Sequence, residues 1–201
     1  MTLTELHDRH YWIFDMDGTL TLAIHDFEAI REQLGLPAGR PILESLALLP
    51  EKQAQPLRQQ LDAIELEIAH QSTAAPGALA LLAQLVERNI KIGILTRNNR
   101  VNIQATLQAA GLAHFFPEAL TLSRDCAPPK PSPEGIHQLL RLWHANPTQA
   151  VMLGDHRFDL ETGRAAGTAT VHIDPQGEFA WPELTDLGVQ SLTELVDSQP
   201  I

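Results

Sequence analysis

Short apolar runs alternate with longer amphipathic stretches along most of this chain. The runs at Tyr11–Phe14, Ile90–Leu95, Ala150–Leu153 and Thr168–Ile173 predict buried strands, and a weaker run at Ala119–Leu122 predicts another. The stretches between them place apolar residues at helical spacing, which predicts helices. Strands that alternate with helices indicate an α/β fold, with a doubly wound, mostly parallel sheet that is covered on both faces.

Residues 22–73 depart from this alternation and carry only helical patterns. Four apolar residues recur at helical spacing and predict one buried helix face: Leu57, Leu61, Ile64 and Ile68. Four prolines are expected to break the segment into pieces: Pro37, Pro41, Pro50 and Pro56. The segment therefore predicts a small helical cap, inserted after the first strand into an α/β core made of residues 1–21 and 74–201.

Two further helices of the core carry specific expectations. Pro76 is expected to open a helix, and its buried face is expected to hold Leu79, Leu82, Ala83 and Val86. Near the end of the chain, the sequence Ser191-Leu192-Thr193-Glu194 has the capping-box pattern and predicts a terminal helix.

Composition and charge exclude several classes of protein. A formal net charge of −11 over 201 residues lacks the basic footprint of a nucleic-acid binder. No apolar stretch approaches the roughly 20 residues that cross a bilayer, and the N-terminal residues lack a signal-peptide pattern. A single cysteine, Cys126, allows no intramolecular disulfide and fits a reducing compartment. We therefore expect a cytoplasmic protein, a monomer by default with a dimer left open.

Four polar motifs follow the predicted strands in order. They are Asp15-Met16-Asp17-Gly18-Thr19-Leu20, Leu95-Thr96-Arg97-Asn98, Pro129-Lys130-Pro131-Ser132-Pro133, and Gly154-Asp155 with Asp159. Ligands of such sheets sit outside the carboxyl ends of the strands, so these motifs are expected to converge there. Carboxylates, a hydroxyl and an ammonium group together suit a phosphoryl transfer assisted by Mg²⁺.

The first motif offers two carboxylates with different tasks. Asp15 is ionised at neutral pH and can attack phosphorus to form a covalent aspartyl phosphate. Asp17 lies two residues on, on the same side of an extended segment, where it can give a proton to the leaving oxygen and take one from water. Gly18 lets the chain turn away from the strand.

The four motifs and their order resemble those of the haloacid dehalogenase-like (HAD) phosphohydrolases. The resemblance covers about 11–22 and 76–175, and the helical insert resembles the type 1 cap of the phosphoglycolate phosphatase-like subgroup. It implies a HAD-like, Rossmannoid core and a Mg²⁺-dependent phosphatase. Its partner is expected to be a small phosphorylated metabolite, hydrolysed through an aspartyl phosphate.

The resemblance also assigns roles to individual residues. It implies that Asp15, the main-chain carbonyl of Asp17, and Asp155 hold Mg²⁺, and that Thr96 and Lys130 act in catalysis beside Asp15 and Asp17. Asp159 is expected to bind a metal-bound water or to orient Lys130, with a helix-start acid as the alternative.

Further positions are predicted to contact the substrate. Met16, Gly18, Arg97 and Asn98 are the substrate-binding candidates of the core. Arg97 replaces the asparagine that many relatives carry, and our hypothesis is that it meets a second anionic group, the alternative being a surface arginine. The cap offers its own candidate contacts, which are His25, Arg31 and Arg40.

Other functions remain compatible with parts of this pattern. A 2-haloacid dehalogenase needs no acid for an alkoxide leaving group, so Asp17 favours phosphoryl transfer. A phosphomutase forms the same aspartyl phosphate and is not separated by sequence. A phosphoacceptor signalling module would be shorter, with its acceptor in mid-chain. A catalytically inactive binding protein would not need all of these polar residues.

Overall fold

One parallel sheet organises the core. The computed structural model describes residues 1–196, and within them six strands form a sheet in the order β3-β2-β1-β4-β5-β6. The strands are β1 (Tyr11–Phe14), β2 (Lys91–Leu95), β3 (Thr121–Leu122), β4 (Ala150–Gly154), β5 (Ala169–Ile173) and β6 (Leu187–Val189). All neighbouring strands of this sheet run parallel, which confirms the predicted fold class.

Helices cover both faces of the sheet and also fill the insert. They are α1 (Leu3–His7), α2 (Phe27–Gln33), α3 (Ile42–Ala47), α4 (Glu51–Ala69), α5 (Ala78–Glu87), α6 (Arg100–Ala109), α7 (Glu134–Trp143) and α8 (Arg157–Ala166). Among residues 1–196, no helix combines the length and the apolar character that crossing a bilayer requires.

Alternation along β1 divides the core into two layers. Trp12 and Phe14 point into one cluster with the apolar residues of α5 and α6, and Ile13 points into a second cluster with those of α7 and α8. The chain runs outward from β1 through β2 to β3, and then returns to the other side of β1 with β4. This reversal creates a crevice beside the carboxyl ends of β1 and β4, where open α/β sheets bind their ligands.

The insert packs around an apolar cluster of its own. Its buried members are Ile30, Leu34, Ile42, Leu46 and Leu61. Leu57, Ile64 and Ile68 pack against this cluster, so the predicted apolar face of α4 is confirmed.

The expectation that Pro56 breaks the insert is wrong, because α4 runs from Glu51 to Ala69 with Pro56 inside it. A proline within a helix costs about 3 kcal/mol or more. Packing of the apolar face that follows Pro56 along α4 offsets this cost. Pro41 and Pro50 do stand at helix boundaries, as the residues before α3 and α4.

The predicted buried face of α5 is wrong except at Leu82. Leu81, Leu82 and Leu85 are buried, whereas Leu79 and Val86 are 49% and 47% exposed. The helix carries apolar residues on most of its circumference, so helical spacing alone does not select a face. Packing against the sheet selects the side with three leucines.

Several short elements escape prediction from the pattern. The strand β6 and the helix α1 are too short to show a period, and β3 keeps only two of the four predicted residues. The capping box at Ser191 is present, but it opens a one-turn 3-10 helix, Leu192–Leu195, instead of an α-helix.

Candidate active site

The segment that follows β1 turns sharply at the edge of the sheet. The Asp15 N–H donates to the carbonyl of Leu153 at 2.9 Å, which extends the pairing of β1 with β4 by one residue. The Met16 carbonyl accepts from the N–H groups of Leu20 (2.9 Å) and Thr21 (3.0 Å). These bonds close a compact turn that leaves Asp15 buried at the carboxyl end of the central strand.

Two glycines let acidic side chains of the site pack closely against the backbone. Gly18 has a φ of +81°, and a Cβ there would collide with the carboxylate of Asp155. A Cβ on Gly154 would collide with the side chain of Asp159. The bare backbone at Gly18 lets the fourth motif pack against the first, and the bare backbone at Gly154 lets Asp159 fold back within the fourth motif.

Lys130 is the cation at the centre of this acidic cluster. Its side chain is 3% exposed, and its ammonium donates to Asp15 Oδ1 at 2.6 Å and to Asp159 Oδ1 at 2.5 Å. Burial opposes the charge, but the carboxylates of Asp15 and Asp159 together raise the pKa of Lys130 above its ordinary value. Lys130 is therefore a fixed positive charge that holds the Asp15 carboxylate.

Three carboxylates meet in a way that suits a metal ion. One oxygen each of Asp15, Asp155 and Asp159 lie within 4.8 Å of one another. Burial raises the pKa of Asp15 to about 6, and burial together with the neighbouring carboxylates of Asp15 and Asp159 raises the pKa of Asp155 to about 8. Three acids facing one ammonium leave an excess of two negative charges when all are ionised, which a divalent cation with a preference for oxygen would balance.

Asp159 is already engaged within this cluster. Besides the contact of its Oδ1 with Lys130, its Oδ2 accepts from the His156 N–H at 3.0 Å. Both oxygens of Asp159 thus have partners, whereas for Asp15 only the contact of Oδ1 with Lys130 is of this kind, and Asp155 has no side-chain partner within residues 1–196. Asp15 and Asp155 are therefore the better candidates to bind a metal directly. The contact of Asp159 with Lys130 is compatible with the predicted role of orienting Lys130, and its bond to the His156 N–H is compatible with the alternative of an acid at a helix start.

The second carboxylate of the first motif faces the cavity with one free oxygen. Asp17 Oδ2 accepts from the side-chain amide of Asn98, while Asp17 Oδ1 is buried with no hydrogen-bond partner among residues 1–196. The nearest ring nitrogen, His25 Nδ1, lies 3.9 Å from Oδ1. Burial raises the pKa of the Asp17 carboxyl, which favours the protonated form that a general acid needs.

The motif after β2 places a hydroxyl in the same space. Thr96 is 4% exposed, and its Oγ accepts from the Asn98 N–H at 3.2 Å. A hydroxyl has a donor besides its acceptor sites, so this contact leaves the Thr96 proton available to a ligand.

Arg97 is occupied by contacts between the insert and the core. Its Nη2 donates to Glu44 Oε1 of the insert at 2.5 Å, and its guanidinium carbon lies 4.8 Å from the centre of the Phe158 ring. The hypothesis that Arg97 meets a second anionic group is thus at odds with its pairing, because its charge already has a carboxylate partner.

A cavity of about 500 Å³ lies between the insert and the edge of the sheet. The predicted site residues that line it are Asp15, Asp17, Thr96, Arg97, Asn98, Lys130, Asp155 and Asp159. The insert contributes its three candidate residues, His25, Arg31 and Arg40, and His156 lies on the core side. Met16 and Gly18 are not among the lining residues, and the Met16 side chain lies in the core.

Sequence reasoning missed the contacts that join the insert to the core. Arg124 donates to Asp62 Oδ1 at 2.6 Å and to Glu65 Oε2 at 3.2 Å, both on α4. Asn102 of α6 donates to Glu65, and Asn99, the residue that caps the start of α6, donates to Asp62. Arg124 follows the carboxyl end of β3. Because ligands of parallel sheets bind at the carboxyl ends of the strands, its position in the sequence could have identified it as a residue near the site.

Removal of Arg124 should destabilise the protein more than removal of an exposed arginine. Arg124→Ala leaves the largely buried Glu65 without its cation, and we expect the free energy of unfolding to fall by about 2 kcal/mol. Arg58→Ala removes an exposed pair with Glu51 and should cost less than about 0.5 kcal/mol. Urea unfolding measures both variants, and equal losses would contradict the prediction.

The parallel α/β sheet, with carboxylates and a buried lysine gathered where its strand order reverses, defines a Rossmann-like protein with an inserted helical segment and an acidic site at the edge of the sheet. Residues 25–173 match the family model of the haloacid dehalogenase-like hydrolases. The chain belongs to this family and is therefore a hydrolase. The matched range begins after the segment that carries Asp15 and Asp17, so the placement of those two residues comes from the structure.

Individual relatives extend over most of the chain. It is 30% identical to the haloacid dehalogenase-like hydrolase domain-containing protein At2g33255 of Arabidopsis thaliana, over 89% of this chain and 76% of that protein. It is 28% identical to the pyrophosphatase PpaX of Listeria innocua, over 80% of this chain and 81% of that protein. The crystal structure of a predicted phosphoglycolate phosphatase from Haemophilus somnus superimposes with a TM-score of 0.72, at 19% identity over 97% of each chain.

Proposed function

We propose that this protein is a Mg²⁺-dependent phosphatase that hydrolyses a small phosphorylated metabolite through an aspartyl phosphate on Asp15. The observation that carries the proposal is the Asp15 carboxylate, held by the ammonium of Lys130 at the wall of the cavity. The phosphatase names of two similar proteins, PpaX and the Haemophilus somnus protein, support the same chemistry.

Two displacements at phosphorus complete the proposed reaction. In the first, a carboxylate oxygen of Asp15 bonds to phosphorus, the ester bond breaks, and the leaving oxygen takes a proton from Asp17. In the second, a water molecule gives a proton to Asp17 and bonds to phosphorus, so the bond to Asp15 breaks and phosphate is released. Both carboxyl groups return to their starting states.

The other residues bind and orient the phosphoryl group. Thr96 donates its hydroxyl proton to a phosphoryl oxygen, and Lys130 positions Asp15 while it offsets negative charge. Asp15, Asp155 and the main-chain carbonyl of Asp17 would hold the Mg²⁺ ion. When bound, this ion supplies positive charge that reduces the repulsion between a carboxylate and an anionic phosphate.

Residues 22–73 act in this proposal as the cap of the site. They contribute His25, Arg31 and Arg40 to the cavity that the acidic cluster of the core also lines. A cap of this kind limits the access of water to the reacting groups. The single cysteine is compatible with a protein that acts in the reducing cytoplasm. We take the protein to be a monomer.

Chelation of divalent metal should remove the activity. With p-nitrophenyl phosphate as the substrate, we expect EDTA to lower the rate at least about 100-fold, because the excess negative charge of the acidic cluster would then repel the phosphate. Excess Mg²⁺ should restore the rate, whereas added Na⁺ at equal ionic strength should not. A metal-stripped protein that keeps its full rate would contradict the proposal.

A second experiment separates a phosphatase from a phosphomutase. It measures the release of free phosphate with and without a sugar-phosphate acceptor.

A further inference from the structure

Four arginines line the cavity among the described residues, and two of them are neutralised across the boundary between insert and core. Arg97 pairs with Glu44, and Arg124 pairs with Asp62 and Glu65. The other two, Arg31 and Arg40, both belong to the insert. Arg40 is exposed to solvent, whereas Arg31 is 8% exposed, so Arg31 is the buried arginine that needs an explanation.

Within residues 1–196, the Arg31 guanidinium has few partners. Its Nε donates to the carbonyl of Arg40 at 3.2 Å. Its Nη1 lies against Glu28 Oε2, but Nη1 is buried without a well-formed hydrogen bond among residues 1–196. The Glu28 side chain is 78% exposed, and solvent screens an ion pair with such a partner.

A buried arginine with this environment is set up to receive an anion. A guanidinium carries five N–H donors in a planar fork that matches a carboxylate or a phosphate. Burying its charge is unfavourable unless it is paired. Ile42 and Leu61 line the same cavity, and such apolar walls strengthen a charge-assisted hydrogen bond made beside them.

We propose that Arg31 binds a second anionic group of the substrate, so that this enzyme selects phosphate compounds that also carry a carboxylate or a further phosphate. This inference rests on the proposed function, because it places the reacting phosphoryl group at Asp15. Arg31 and Asp15 line one cavity of about 500 Å³, which a single small metabolite can occupy. Arg31 takes the role that the sequence alone suggested for Arg97.

The test compares probes that differ in the second anion. Phosphoglycolate and ethyl phosphate differ by a carboxylate in place of a methyl group, and pyrophosphate and methyl phosphate differ by a second phosphate. Each probe competes with p-nitrophenyl phosphate hydrolysis, so its inhibition constant is measured whether or not it is turned over. In the wild type we expect at least one doubly anionic probe to bind about 10- to 100-fold more tightly than its matched partner.

Arg31→Gln should reduce this preference about 10-fold or more and leave the affinity for ethyl phosphate and methyl phosphate nearly unchanged. If the variant loses the preference for phosphoglycolate alone, the second anion that Arg31 binds is a carboxylate. If it loses the preference for pyrophosphate alone, the second anion is a phosphate. Arg31→Lys keeps the charge and should recover part of the preference. Arg58→Gln is the matched control, because Arg58 is an arginine of the same insert that does not line the cavity.

Glu28→Gln tests the proposal in a protein that keeps Arg31. It removes the exposed carboxylate that competes for the guanidinium, so the affinity for the preferred doubly anionic probe should rise about two- to threefold. A wild type without preference, an Arg31→Gln variant that weakens both members of a pair equally, or a Glu28→Gln variant with weaker anion binding would overturn the proposal. A wild type that does not hydrolyse p-nitrophenyl phosphate at all would instead overturn the proposed function.

Discussion

Asp15→Asn is expected to lower kcat for p-nitrophenyl phosphate at least about 10⁴-fold, because a neutral amide does not attack phosphorus. The substitution keeps the shape of the side chain but removes the charge that faces Lys130. When a reaction with a substrate whose phosphoryl group is radiolabelled is quenched rapidly, the wild-type protein should carry the label. The variant should carry no label. The two measurements together separate loss of the nucleophile from weaker binding.

The matched control for this variant is Asp8→Asn. Asp8 is exposed, follows α1 and does not line the cavity, so the same chemical change there should leave kcat within about twofold. Circular dichroism and thermal melting of both variants check that each is folded. An Asp15→Asn variant that is folded and retains more than about 1% of kcat would contradict the assignment of the nucleophile.

Lys130→Met should affect both stability and activity. It leaves the buried carboxylates of Asp15 and Asp159 without a cation, so we expect the free energy of unfolding to fall by about 3–5 kcal/mol. We also expect kcat/KM to fall at least about 10³-fold, because the phosphoryl site loses its fixed positive charge. Urea unfolding with bound metal removed measures the first effect, and steady-state kinetics with saturating Mg²⁺ measures the second.

Two further variants make this prediction specific. Lys52→Met removes an exposed lysine of α4. It should change the free energy of unfolding by less than about 0.5 kcal/mol and kcat/KM by less than about twofold. The double variant Lys130→Met with Asp159→Asn should regain part of the lost stability but none of the activity, because one of the two uncompensated carboxylates becomes neutral. A Lys130→Met protein as stable as the wild type would mean that the buried pairs contribute little.

Much of the core could be predicted because its signals are local. The run Tyr11–Phe14 is apolar at each position, as a strand buried on both faces must be, and the strand appears with those bounds. The convergence of Asp15, Thr96, Lys130 and Asp155 on one cavity follows from parallel strands ending at one edge. The family resemblance is confirmed by the match over residues 25–173.

Other features depended on competition between contacts that are distant in sequence. The prediction for the buried face of α5 was mostly wrong because apolar residues surround this helix. Only packing against the sheet determines which side of the helix is buried. Pro56 sits inside α4 because the apolar face that follows it outweighs the local penalty. The partners of Arg97 and Arg124 lie on the insert, 53 to 62 residues away in sequence, where no periodicity points to them.

The amino-acid sequence by itself determined the α/β class, the order of the motifs and the types of chemical group available to the site, because short-range spacing encodes strands, turns and reactive side chains. Only the tertiary structure decided which charges neutralise one another. Of the arginines near the cavity, Arg97 and Arg124 meet carboxylates of the insert, whereas the one carboxylate that the buried Arg31 meets in the described part of the chain is exposed. That outcome is set by how the insert packs on the core, because the strength of an ion pair depends on the burial of both partners.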